Sequence, residues 1–319
     1  KWNRLLQRNG TKKIIVRILS IRLSLLNNMK RFLLPLLAAL ALPTGVNAER
    51  IISINSQECE ECKYVEGFVS PENISEEVFK MVGKNNKSNS KEAVRIQKKR
   101  GVIITGTYPS FKTGFKCPLI DSEKWAISYS HKRKGHALHK GIDIPQPKGT
   151  PVLAAASGIV VGKFLNTENR KGIEIVLRHK PEDTGLPFFT YTQYTHLLEM
   201  PSIPMGQVVN AGDKIARIWN TGKMGKKVRR SAVHFAVMFS KNPNWTNTGY
   251  IFAPQNGYFM DPVYFFNKVS SSESYNSENI RNLPKKDKKI NVAFQLSNGE
   301  KYPFNAKRVW PFACAKEVI

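Results

Sequence analysis

Between Gly101 and Lys268, short apolar runs alternate with Gly and Pro. Ser157–Phe164, Ile173–Arg178, Phe188–Leu198, Lys214–Trp219 and His234–Phe239 are rich in β-branched and aromatic residues. Runs of that length and content, separated by turn residues, predict strands joined by hairpins. Gly158, Gly162 and Gly172 suit bends or bulges in the resulting sheet. Residues 290–304 (INVAFQLSNGEKYPF) predict a further hairpin turning at Asn298-Gly299. Ser75–Val82 is a helical candidate. The fold class expected is all-β, a compact antiparallel sheet domain with irregular N- and C-terminal extensions.

A different pattern opens the chain. Phe32–Leu42 (FLLPLLAALAL) is a continuous apolar run of 11 residues, preceded by Met29-Lys30-Arg31 and followed by Val46-Asn47-Ala48. A basic start, an apolar stretch too short to span a bilayer and a small-residue cleavage site make an export signal over 29–48. Residues 1–28 then precede a candidate initiator, Met29, and are expected to lie upstream of the working protein. Beyond the signal, the expected organisation is a polar leader over 49–100 and the β domain over 101–268. A Ser/Asn/Lys-rich linker over 269–289 and the C-terminal hairpin extension over 290–319 follow.

Charge changes meaning once this is seen. The chain carries 50 Lys+Arg against 24 Asp+Glu, a formal net charge of +26. Nine of those basic residues and none of the acidic ones lie in 1–48, so the exported part retains +17. A basic surface alone suggests nucleic acid. Yet Lys226, Lys227, Arg229, Arg230 and the run Lys285–Lys289 read as solvated faces, and no nucleic-acid motif accompanies them. For an exported chain an anionic cell envelope is the better partner. No membrane span is expected after signal cleavage, and the oligomeric state is not encoded legibly. Cys59, Cys62, Cys117 and Cys314 form an even set in an exported chain, so disulfides are expected, with three possible pairings.

The candidate chemistry lies in the histidines. All six (131, 136, 139, 179, 196 and 234) fall in the β zone. In His139-Lys140-Gly141-Ile142-Asp143 an imidazole and a carboxylate stand four apart, on one face of an extended chain. Together with His234, which opens a later strand, they make a two-His, one-Asp set with a position left for water. That is the pattern of a catalytic rather than a closed structural zinc site.

Six segments carry a resemblance. GHALHKGIDIPQPKGTPVLAAASGIVVG, GIEIVLRH, YTHL, GQVVNAGDKIARI, AVHFAV and MDPVYF follow in order between Gly135 and Phe266. This stretch resembles the lysostaphin-type (LytM-like) zinc metallopeptidases, compact antiparallel β domains that cleave peptide bonds in peptidoglycan stem peptides or cross-bridges. The resemblance implies one zinc ion held by His139, Asp143 and His234, with His196 as one of two catalytic histidines. It implies no ligand role for His179, and His131 and His136 are better read as ordinary residues. Where the family has the first His of an H-x-H pair, this chain has Ala232. Arg229, Arg230 and Tyr194 are candidates to substitute for it.

The expected function is therefore an exported zinc metallo-endopeptidase of the periplasm, envelope or exterior, acting on peptidoglycan. His196 would serve as general base or as hydrogen-bond donor to the tetrahedral intermediate. Ala232 motivates an alternative, a catalytically silent zinc-binding relative that binds cell wall or regulates a hydrolase.

Overall fold

The computed structural model describes residues 65–67, 91–120, 129–131, 138–166, 171–222, 230–247, 252–268 and 272–317. The expected signal at 29–48, the segment 1–28, the Ser75–Val82 candidate, Cys59, Cys62, His136 and Arg229 lie outside them.

The principal sheet contains eight strands. They are β1 (Val65–Gly67), β2 (Ile142–Pro145), β3 (Gly158–Asn166), β4 (Gly172–His179), β5 (Phe189–Leu197), β6 (Val208–Val209), β7 (Ala232–Ser240) and β8 (Tyr258–Met260). Their order is β1-β3-β4-β5-β7-β8, with β6 added to β3 and β2 added to β7. All pairings are antiparallel except β1 with β3. The fold is thus all-β, and the five strand runs read from the sequence are all present, with ends displaced by a few residues.

Strand β7 organises the site. One edge pairs with β5 along most of its length. The other edge is shared, β2 taking Ala232–Phe235 and β8 taking Val237–Phe239. Period-2 alternation then sorts its residues. Val233, Phe235 and Val237 join Ile142, Ile144 and Tyr194 in the hydrophobic core, while Ala232 and His234 face the other way. Burying each of the larger apolar side chains contributes about 1.5–3 kcal/mol, which fixes the register and with it the direction of His234.

The flanking segments are ordered against this sheet. Lys91–Lys99 forms helix α1 inside the zone read as a polar leader. Its Gln97 is buried and its Oε1 accepts the Leu138 N–H at 2.9 Å, tying the helix to the residue before His139. The stretch read as linker-like, 269–289, has helical turns at Ser272–Tyr275, Ser277–Arg281 and Lys285–Lys288. Tyr275 and Ile280 are buried there, two apolar anchors in an otherwise polar run.

The C-terminal hairpin pairs Phe294-Gln295 with Lys301-Tyr302 around Asn298-Gly299, with Gly299 at φ 91°. Beyond it, Val309 N–H donates to Ala155 O and Leu153 N–H to Pro311 O. Trp310 and Phe312 are fully buried, and a Cys117–Cys314 disulfide closes the segment onto the chain. Of the expected disulfides, the described residues contain Cys117–Cys314.

Candidate metal centre

Asp143 and His234 are directly opposite each other in the β2–β7 ladder, and His234 is opposite Thr195 in β5. Cross-strand partners point to the same face, so this register alone brings an imidazole and a carboxylate together. His234 Nδ1 lies 2.9 Å from Asp143 Oδ1. His139 reaches the same point from the segment leading into β2. Its Nε2 is 2.8 Å from His234 Nδ1 and 3.3 Å from Asp143 Oδ1. The crossing is tight: a Cβ on Gly141 would sit 2.4 Å from Phe235 O and 2.8 Å from His234 Nε2. Only glycine lets the His139–Asp143 segment approach β7 this closely. Main-chain bonds hold the segment in place, His139 N–H donating to His131 O and Ser130 N–H donating to His139 O.

Two imidazole nitrogens and a carboxylate oxygen thus converge, all within 4.8 Å of one another. Zinc at about 2.0–2.1 Å from tetrahedral ligands places ligand atoms about 3.3 Å apart. The observed separations of 2.8, 2.9 and 3.3 Å are close to this, and the donor set is one that zinc accepts. His139 and Asp143 are buried, whereas the His234 side chain is 18% exposed, which leaves the cluster an approach from solvent. Burial by itself would raise the Asp143 carboxyl, but His139 and then His234 outweigh it and hold the carboxyl well below the ordinary range.

His196 arrives by a different device. Thr195 pairs with Glu174 and Leu197 with Ile173, so His196 is an extra residue in β5, a bulge. Its φ is 69°, left-handed for a non-glycine residue, which costs on the order of 1 kcal/mol or more. Strict alternation would aim His196 away from the Thr195 side. The bulge re-aims it, and its ring centroid lies 6.2 Å from that of His234. His196 Nδ1 donates to Thr221 O at 3.0 Å.

Among the described residues, His131 and His179 do not join the cluster. His179 is buried, donating from one ring nitrogen to Ser157 O (2.6 Å) and meeting Thr192 Oγ1 with the other (2.7 Å). Burial pushes its pKa down to about 4, with Arg178 adding to the effect. Tyr194 faces the core: its hydroxyl accepts the Ala155 N–H and its ring packs on Phe235. It is on the wrong face to stand in for a missing histidine at 232. Arg230 is exposed.

Glu174 went unread in the sequence. It continues the row Asp143–His234–Thr195 across β4, fully buried. It accepts hydrogen bonds from Lys171 Nζ (3.0 Å), Gln193 Nε2 (3.0 Å) and Thr195 Oγ1 (3.3 Å). A lone acidic residue inside the apolar run IEIVL was the available signal.

Residues 137–246, which contain both histidines and the aspartate of the cluster as well as His196, match the family model for peptidase family M23. The resemblance read from the sequence is thus borne out: this segment is similar to the M23 peptidases. An uncharacterized protein of Haemophilus influenzae is 31% identical to the chain over 110 residues. That match covers 34% of this chain, and the chain spans only 23% of the relative's length. Among solved structures, a mutant catalytic domain of the prophage-encoded M23 protein EnpA from Enterococcus faecalis is similar at 22% identity and a TM-score of 0.30. It covers 43% of this chain and 90% of that one. The catalytic domain of the antimicrobial peptidase lysostaphin from Staphylococcus simulans is similar at 22% identity and a TM-score of 0.30, over 42% and 88% of the two chains. Among the described residues, no helix is long and apolar enough to cross a membrane.

Proposed function

We infer that the chain is an exported zinc metallo-endopeptidase that cleaves peptide bonds in the stem peptides or cross-bridges of bacterial peptidoglycan. The observation that carries this reading is the convergence of His139 Nε2, Asp143 Oδ1 and His234 Nδ1 at one partly open point of the segment that matches family M23, with the His196 ring beside it. His139, Asp143 and His234 would hold the ion. When bound, zinc supplies a Lewis acid that lowers the pKa of water and polarises the scissile carbonyl. The protein's own part is to orient and to move the proton. Asp143, held ionised between two imidazoles, supplies the negative charge that favours a cation. His196 takes part in proton transfer at the reacting centre. The positive surface of the exported chain holds it against anionic wall material, an attraction that weakens with salt.

Ala232 supports a second reading. It lies on the same face as His234, two residues away, and is buried. A domain without a second proton-handling histidine there could bind wall or a partner hydrolase without turnover. Digestion of purified peptidoglycan with and without chelator separates the two. Chelator-sensitive peptide release supports the enzyme, and binding without release supports the silent relative.

A further inference from the structure

The bulge that presents His196 is braced by a residue belonging to neither of the strands involved. Thr221 follows the short strand Lys214–Arg217 and comes alongside β4 and β5 at the point where their register shifts. Its carbonyl accepts His196 Nδ1–H at 3.0 Å. Its hydroxyl donates to Leu197 O at 2.7 Å and accepts Ile173 N–H at 3.1 Å. Ile173 and Leu197 are the paired residues immediately beyond the bulge, so one hydroxyl straps both strands there. Two further main-chain bonds fix the bulged residue: His196 N–H to Lys171 O, and Trp219 N–H to His196 O. Close approach of Thr221 depends on Gly172, at φ 68°, where a Cβ would stand 2.3 Å from the Thr221 carbonyl carbon.

A backbone carbonyl can only accept. The neutral His196 ring therefore keeps its proton on Nδ1, and Nε2 is the nitrogen with a lone pair. We propose that Thr221 is a positioning residue that fixes His196 as the Nδ1–H tautomer, so that Nε2 accepts a proton. On this account His196 serves as a general base in the first step, not as a neutral hydrogen-bond donor. The proposal rests on the reading of His196 as the proton-transfer group.

Long-range ¹H–¹⁵N spectra of the ¹⁵N-histidine-labelled mature chain test it, at a pH where His196 is neutral and with its signals assigned by comparison with His196→Gln. The native chain is expected to show Nδ1–H at His196. Thr221→Val keeps the main-chain carbonyl but removes the hydroxyl strap that holds it against the bulge, and is expected to give a mixed tautomer signature and a kcat reduced about 10–100-fold, a part of the roughly 10²–10⁴-fold that a general base is worth. KM and zinc content should stay unchanged, and Thr221→Ser should restore both readouts. An Nε2–H tautomer in the native chain overturns the proposal. So does a Thr221→Val chain with native tautomer and native kcat. If Thr221→Val does not fold, the native tautomer decides. If the native chain releases no peptide from peptidoglycan, the functional reading fails while the spectra still decide the role of Thr221.

Discussion

Asp143 Oδ1 lies 2.9 Å from His234 Nδ1 because the two residues are directly paired across β2 and β7. The site is therefore written into the ladder register. Its integrity depends on three donor atoms, and removing one leaves two imidazoles with no anionic partner. Asp143→Asn is expected to lower zinc affinity by more than about 100-fold, beyond what loss of an outer hydrogen bond does to metal sites. Zinc content after dialysis, with a circular-dichroism spectrum to show folding, checks this. A folded variant that retains one zinc would remove Asp143 from the ligand set.

Ala232 faces the same side as His234 and is the position at which the resemblance calls for a second histidine. Ala232→His is expected to raise kcat by on the order of 10², the usual worth of one group stabilising a developing oxyanion. KM should change little. Peptide release per zinc-loaded molecule is the readout, and an unchanged kcat at full zinc occupancy would mean that position 232 does not limit turnover.

His179 predicts an acid limb. Its folded pKa is about 4 against an ordinary 6.5, because burial penalises the charged ring. Between those values the unfolded chain binds the proton and the folded one does not. The stability from burying neutral His179 is thus whole above about pH 6.5 and is lost as pH falls toward 4, up to about 3 kcal/mol. Urea midpoints at pH 7 and pH 5 for the native chain and His179→Gln measure it. The variant should lose less between the two pH values, and parallel losses would assign the acid limb to other groups.

The Cys117–Cys314 disulfide joins residues 197 apart in sequence. Closing so long a loop stabilises mainly by restricting the unfolded chain, about 5 kcal/mol on the chain-entropy account. A double Cys117→Ser, Cys314→Ser chain should unfold at correspondingly lower urea. Equal midpoints would show that Trp310 and Phe312, buried just before Cys314, anchor the C-terminal segment on their own.

Much of this was legible beforehand. The five central strands announced themselves by β-branched and aromatic runs between turn residues, and Asn298-Gly299 announced its hairpin. His139 and Asp143 were legible as a pair by their four-residue spacing and His234 as a histidine opening a later strand, whereas the register that sets His234 opposite Asp143 joins distant segments and is supplied by the fold. His196 was legible only through resemblance. Alternation places it on the opposite face from Thr195, and nothing local marks a bulge whose left-handed residue is a histidine instead of a glycine. Thr221 and Glu174 were unreadable as site residues because their contacts are set by register between distant segments. The helical turns of 272–288 were hidden for another reason. Their polar composition suggested a linker, and two buried residues, Tyr275 and Ile280, were enough to dock them.

The central claim is that His139, Asp143 and His234 hold a zinc ion that the chain uses to cut peptidoglycan. One preparation of residues 49–319, analysed for zinc and incubated with purified peptidoglycan with and without chelator, tests it most directly. The account predicts one zinc per chain and peptide release that chelator abolishes and added zinc restores. A chain free of zinc that still releases peptides, or a zinc-loaded chain that binds peptidoglycan and releases none, would contradict it.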